Sequence, residues 1–120
     1  MVNVMKNHSI EEYSFGTISV DGKKYTRDLI ILPDGIQPSW QREKSHHLKR
    51  KDLKEVLDSK PEVLVLGTGA YGKMEVGEKV RQELKDHGIE LVAAPTGRAV
   101  KYFNRLQSKK RTAGAFHLTC

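Results

Sequence analysis

Gly67-Thr68-Gly69-Ala70-Tyr71-Gly72 is a G-x-G-x-x-G run that follows the apolar stretch Val63-Leu64-Val65-Leu66 and precedes a helical pattern. Bare backbone N–H groups at a turn that opens a helix carry partial positive charge and accept an anion. A dinucleotide fits poorly. The next strand ends Val92-Ala93-Ala94, without a carboxylate for a ribose hydroxyl, and the chain is too short for two mononucleotide halves. The mechanical use of the same glycines is a sharp turn at the sheet edge that allows close packing. Thr96-Gly97-Arg98 repeats the theme after the next strand. Thr96 has the chemistry of a helix cap, and Arg98 could hold an anion with two parallel hydrogen bonds. If the strands bearing Leu66 and Ala93 are parallel neighbours, the loops at 67–72 and 95–98 lie side by side, where open α/β sheets bind ligands. The expected pocket is lined by Thr68, Gly69, Thr96, Gly97 and Arg98. Against it stands the simpler reading, in which Thr96 only caps and Arg98 is a solvated charge.

Two basic stretches add a second kind of chemistry. Residues 98–111 carry six basic side chains and no acidic one, with Arg98, Lys101, Arg105 and Lys109 on one helical face. Arg42, Lys44, Lys49, Arg50 and Lys51 form another cluster. Such charge attracts nucleic acid, but no nucleic-acid module is recognisable and Tyr102 is the only aromatic near the stripe. An acidic protein partner fits at least as well as nucleic acid. His117 and Cys120 invite a Cys–His nucleophile, yet positions three apart on a strand face opposite ways. Cys120 would share the face of Phe116 and Leu118 as a buried, inert thiol. His46, His47 and His117 have no metal-ligand spacing, and no paired carboxylates or Ser/His/Asp pattern stands out. No catalytic residue, metal or cofactor is assigned.

These residues must be positioned by one small domain. The chain has 120 residues, 38% hydrophobic and 30% charged, with a net charge of +6. Its mean hydropathy is −0.56. That length buries a real core without staples, and a single cysteine rules out a disulfide framework. No run approaches the length of a spanning helix. Residues 1–10 lack an apolar core, a cleavage site and arginine, so they read as a loose lead-in, not an address label, and the protein reads as cytoplasmic. Residues 11–120 read as one domain.

The first third is β. Tyr13, Phe15, Thr17, Ile18 and Val20 are strand formers, and Asp21-Gly22 predicts a type I′ hairpin turn into a strand at 23–26. Leu29-Ile30-Ile31-Leu32 predicts a strand covered on both faces. A polar connection from Trp40 to Lys51 precedes a short helix, with Leu53, Val56 and Leu57 on one face. The rest alternates: strand 63–66, helix 75–87 capped by Gly88, strand 89–93, helix from Pro95 to about Ser108, and a last strand at 114–119. The fold class is therefore α/β, a compact single domain with a central mixed sheet flanked by helices and an added N-terminal β-hairpin layer.

Val63–Gly69, the segment Pro95-Thr96-Gly97-Arg98-Ala99-Val100-Lys101-Tyr102-Phe103-Asn104 and the ending Gly114-Ala115-Phe116-His117-Leu118-Thr119-Cys120 together resemble the Mth-domain family. The resemblance runs from about Ile10 to Cys120. It implies a compact α/β domain with a central mixed sheet and an added β layer. It implies no established catalytic activity and no cofactor. One mitochondrial branch of the family acts as a non-enzymatic assembly factor for respiratory complex I through protein contacts. The resemblance therefore points to a protein-interaction or assembly module with an unknown protein partner. The alternative left by the residues themselves is a small-anion or small-molecule binder, an enzyme included, at the two loops.

Overall fold

The computed structural model describes residues 8–44 and 46–120. Five strands form the central sheet: β4 (Leu29–Leu32), β5 (Gly35–Gln37), β7 (Val63–Thr68), β9 (Glu90–Ala94) and β10 (Thr112–His117), in the order β5-β4-β10-β7-β9. The sheet is mixed, because β10 runs parallel to β7 and antiparallel to β4. The expected α/β class and central mixed sheet are both present. A separate antiparallel sheet joins β1 (Ile10–Ser14), β2 (Thr17–Val20) and β3 (Lys23–Tyr25). A short parallel pair links β6 (His47–Leu48) and β8 (Glu75–Val76).

The centre of the sheet is buried on both faces, so β4 and most of β7 read as unbroken apolar runs. On one side Leu64, Leu66, Ile30, Ala113 and Ala115 meet Val56 of α1 (Lys54–Ser59), Val80 and Leu84 of α2 (Glu78–Asp86), and Trp40. On the other, Val63, Val65, Leu29, Ile31 and Phe116 meet Ala99 and Phe103 of α3 (Thr96–Leu106) and Ile10, Ile18 and Val20 of the first sheet. Phe103 and Phe116 pack edge to face with centroids 5.8 Å apart. Gly114 lies beneath them: a Cβ there would stand 2.8 Å from Phe103 Cδ1 and 2.5 Å from Phe116 Cε2. Overfilling such a site typically costs about 1–3 kcal/mol. Gly114→Ala is therefore expected to lower the denaturant midpoint without changing the slope of the transition, in a urea titration followed by circular dichroism.

Several boundaries differ from the sequence reading, each for a local reason. The first strand is broken at Phe15-Gly16, where Gly16 takes φ of +82°. Asp21 and Gly22 both have positive φ, as a type I′ turn needs. Residues 75–76 pair with β6 before the helix begins at Glu78, so no helix opens directly behind the glycine run. Residues 50–53 form a 3-10 turn ahead of α1. The loose lead-in expected through residue 10 is tied down from His8: its N–H donates to Gln107 and its ring contacts Asp21. Ile10 already belongs to β1, and residues 1–7 of that lead-in lie outside the described residues. Among the described residues, no helix is long and apolar enough to cross a membrane.

Candidate functional site

The two turns expected to meet do meet. Leu66 pairs with Ala93 and Gly67 with Ala94 in the parallel β7–β9 ladder, which brings the loops after both strands to the same rim. Thr96 is completely buried there, and its hydroxyl is not a helix cap: Pro95 occupies that position. Thr96 Oγ1 instead donates to the carbonyl of His117 at 2.6 Å and accepts the N–H of Gly69 at 2.9 Å. The Thr96 N–H donates to the Gly69 carbonyl, and the Ala70 N–H to the Thr119 carbonyl. Gly72 N–H closes back on the Gly69 carbonyl. These amides thus bond within the chain. The five residues expected to line one pocket divide accordingly. Thr68, Gly69 and Thr96 are buried in this junction, while Gly97 and Arg98 are exposed on the first turn of α3.

The same rim holds a cluster that spacing did not reveal. Asp28, at the entrance to β4, accepts from His117 Nδ1 at 2.7 Å and from Arg42 Nη2 at 2.8 Å, both on Oδ2. Its other oxygen accepts the Leu118 N–H at 2.8 Å. Arg42 and His117 keep only 4% and 5% of their side-chain exposure, and Asp28 keeps 18%. The Arg42 guanidinium stacks on the Trp40 ring at 4.4 Å, and the indole N–H is fixed to the Asp52 carbonyl at 2.8 Å. His46 packs edge-on against the His117 ring, centroids 5.8 Å apart. Burial pushes the Asp28 carboxyl up. The hydrogen bonds from His117, the Leu118 N–H and Arg42 pull it down further, and it settles below the ordinary carboxylate range. Tyr13 donates its hydroxyl to the Leu118 carbonyl at 2.9 Å. Its phenol is raised, first by burial and then by the charge of Asp28.

His117 is buried because β10 is a central strand, with every residue from Thr112 to His117 covered. The in–out alternation expected for this strand holds only where one sheet face meets water. Cys120 lies beyond the strand and is exposed, contrary to the buried thiol expected from that alternation. Sequence reasoning missed Asp28 altogether and placed Arg42 in a basic cluster with Lys44, Lys49, Arg50 and Lys51. The available signal was a lone acid immediately before the apolar run 29–32, together with Trp40 two residues from Arg42. Among the described residues, no group of three or more His, Cys, Asp or Glu side chains could hold a metal ion.

Above the cluster the rim carries two exposed aromatics. Phe15, on the β1–β2 turn, is 57% exposed, and Tyr71, in the glycine run, is 70% exposed. Their centroids are 6.4 Å apart. Each comes from a different turn, and both turns are secured to the C-terminal segment: the Gly16 N–H donates to the Leu118 carbonyl and the Ala70 N–H to that of Thr119. The outer face of α3 adds Arg98, Lys101 and Arg105, all exposed.

Residues 10–118 match the family described as protein of unknown function (DUF498/DUF598). The chain is 32% identical over 108 residues to NADH dehydrogenase [ubiquinone] 1 alpha subcomplex assembly factor 3 of Danio rerio. That match covers 88% of this chain but spans 61% of the relative's length. Among solved structures, the conserved hypothetical protein PH1505 from Pyrococcus horikoshii OT3 superposes with a TM-score of 0.80 at 31% identity, covering 93% of this chain and 99% of that one. The structure of MT938 superposes equally well, at a TM-score of 0.80 and 26% identity, covering 95% of this chain and all (100%) of the other.

Proposed function

The chain belongs to the DUF498/DUF598 family, the Mth-domain family its motifs resemble, and from that membership we propose that it works as a non-enzymatic docking module in the assembly of a larger protein complex. The single observation that carries this reading is the Phe15–Tyr71 pair. Two large aromatic side chains stand more than half exposed and side by side on two separately anchored turns. Aromatic anchors on rigid elements are what protein interfaces bury at their centres. The curated relative is itself named as an assembly factor. The exposed basic face of α3 and the net charge of +6 give the partner a complementary, acidic character.

A photo-crosslinking residue placed at Phe15 or Tyr71 tests this in intact cells. A discrete adduct of one defined larger mass is expected from each of these two positions and from neither Lys85 nor Asp86 on exposed α2. Its yield should fall when the other aromatic is changed to serine. No discrete adduct from the rim, or the same adduct from α2, would remove the docking reading. The folded state of each variant is checked by its melting temperature, because both residues are exposed and their replacement should leave it within a few degrees, about 0.5 kcal/mol or less of stability.

A further inference from the structure

We propose that Arg42 and His117, braced by Asp28 and Trp40, form a binding site for a phosphate group that retains one acidic hydroxyl, either hydrogen phosphate itself or a phosphate monoester. The observation behind it is what this ion pair leaves undone. Arginine–carboxylate pairs are frequently fork to fork, with two parallel hydrogen bonds. Here Asp28 gives Arg42 one oxygen, shares that oxygen with His117 and commits the other to the Leu118 N–H. Arg42 Nε and Nη1 and His117 Nε2 are then buried with no hydrogen-bond partner among the described residues. Buried polar atoms without partners are rare because each forfeits its bonds to water. Three of them lie on two neighbouring side chains, whose other nitrogens, Arg42 Nη2 and His117 Nδ1, are 3.1 Å apart.

The orientation of both groups is fixed in advance. Trp40 holds the guanidinium by stacking, and the indole is itself anchored to Asp52. Asp28 Oδ2 accepts the Nδ1–H of His117, which in the neutral imidazole leaves Nε2 as the acceptor. The His117 ring lies against Gly69, where a Cβ would stand 2.9 Å from Cδ2, so only glycine leaves that side of the imidazole uncrowded. The free atoms therefore ask for two things at once: an anionic oxygen for the Arg42 donors and an O–H for Nε2. A protonated phosphate carries both. Sulfate and carboxylates at neutral pH carry only the first. Asp28 retains 18% exposure, and Arg42 also borders an open surface recess with Gln41, Glu43, Lys51 and Asp52.

The test is a titration of the wild-type protein, followed through the side-chain nitrogen signals of His117 and Arg42 by nuclear magnetic resonance. The probes are inorganic phosphate, methyl phosphate and sulfate at about pH 6, near the second pKa of a phosphate monoester, so that both phosphates keep a hydroxyl and sulfate has none. Saturable shifts at both side chains are expected with phosphate or its methyl ester, and binding of sulfate is expected to be about tenfold weaker or more, for want of the hydroxyl bond to Nε2. Tighter binding of methyl phosphate assigns the site to a monoester, and tighter binding of inorganic phosphate to the free ion. Arg42→Gln should weaken either by about tenfold or more. No saturable response at these two side chains, equal binding of sulfate, or undiminished binding to a folded Arg42→Gln protein would overturn the proposal. If Arg42→Gln does not fold, the residue-resolved wild-type titration decides alone.

Discussion

Asp28→Ala is expected to destabilise the protein by about 3–5 kcal/mol, the usual cost of stripping the partner from a buried charge. Arg42 keeps only 4% of its side-chain exposure, and it would lose its one carboxylate contact. His117 would lose the acceptor that orients its ring, and the Leu118 N–H would lose its partner at the end of β10. The effect also has a defined pH dependence. Asp28 titrates below the ordinary carboxylate range in the folded protein. A depressed carboxyl stabilises the fold fully above its unfolded pKa and loses that contribution as pH falls through its folded pKa. The gap in stability between wild type and Asp28→Ala should therefore be widest at neutral pH and should narrow in acid, below the ordinary aspartate range. Chemical denaturation of both proteins across that span measures it. A gap that stays constant into acid would mean that the ionised carboxylate is not what stabilises Asp28's surroundings. Replacing Asp28 and Arg42 together, by Ala and Met, should recover part of the loss, since it removes the orphaned charge along with its partner.

How much of this could be read from the residues alone depends on how far apart in sequence the interacting groups lie. The strand Val63–Thr68 and the helix Thr96–Leu106 announce themselves, because each is defined by neighbours within one turn or one strand. The meeting of the two glycine-bearing turns follows from the same local logic, since a strand, a crossover helix and a parallel strand leave few alternatives. Asp28, Arg42 and His117 are different. They are separated by 14 and 75 positions, and their meeting depends on β10 inserting between β4 and β7. That insertion also leaves β10, like β7, covered along its whole length, which is why His117 is buried, whereas Cys120 lies beyond the strand and is exposed. A helix-cap reading of Thr96 is reasonable from its position before a helical run, yet the hydroxyl has a carbonyl and an amide from two other elements within reach and bonds those. Tertiary partners win here because they lie in the dry interior, where an unmet backbone group costs more than an uncapped helix end at the surface.

That competition sets the second large effect. Thr96→Val keeps the shape of the side chain and removes only the oxygen, so it tests the junction without opening a cavity. The Gly69 N–H and the His117 carbonyl would both be left buried without their hydroxyl partner. At about 1–3 kcal/mol for each orphaned group, a loss of about 2–6 kcal/mol is expected in equilibrium unfolding. The damage should also be uneven. Gly69 begins the turn that carries Tyr71, while the His117 carbonyl leads into the segment to which Gly16 and Ala70 are bonded. Amide hydrogen exchange should therefore accelerate at Gly69, Ala70 and Gly16 before it does at the interior of β7, where the ladder with β10 is untouched. Under the docking reading, adduct yield from a crosslinker at Tyr71 should fall in Thr96→Val even at temperatures where the protein remains folded, because the two aromatics would no longer be held side by side. Uniform acceleration across β7 and the rim would instead show that Thr96 supports the sheet as a whole and has no particular hold on the docking edge.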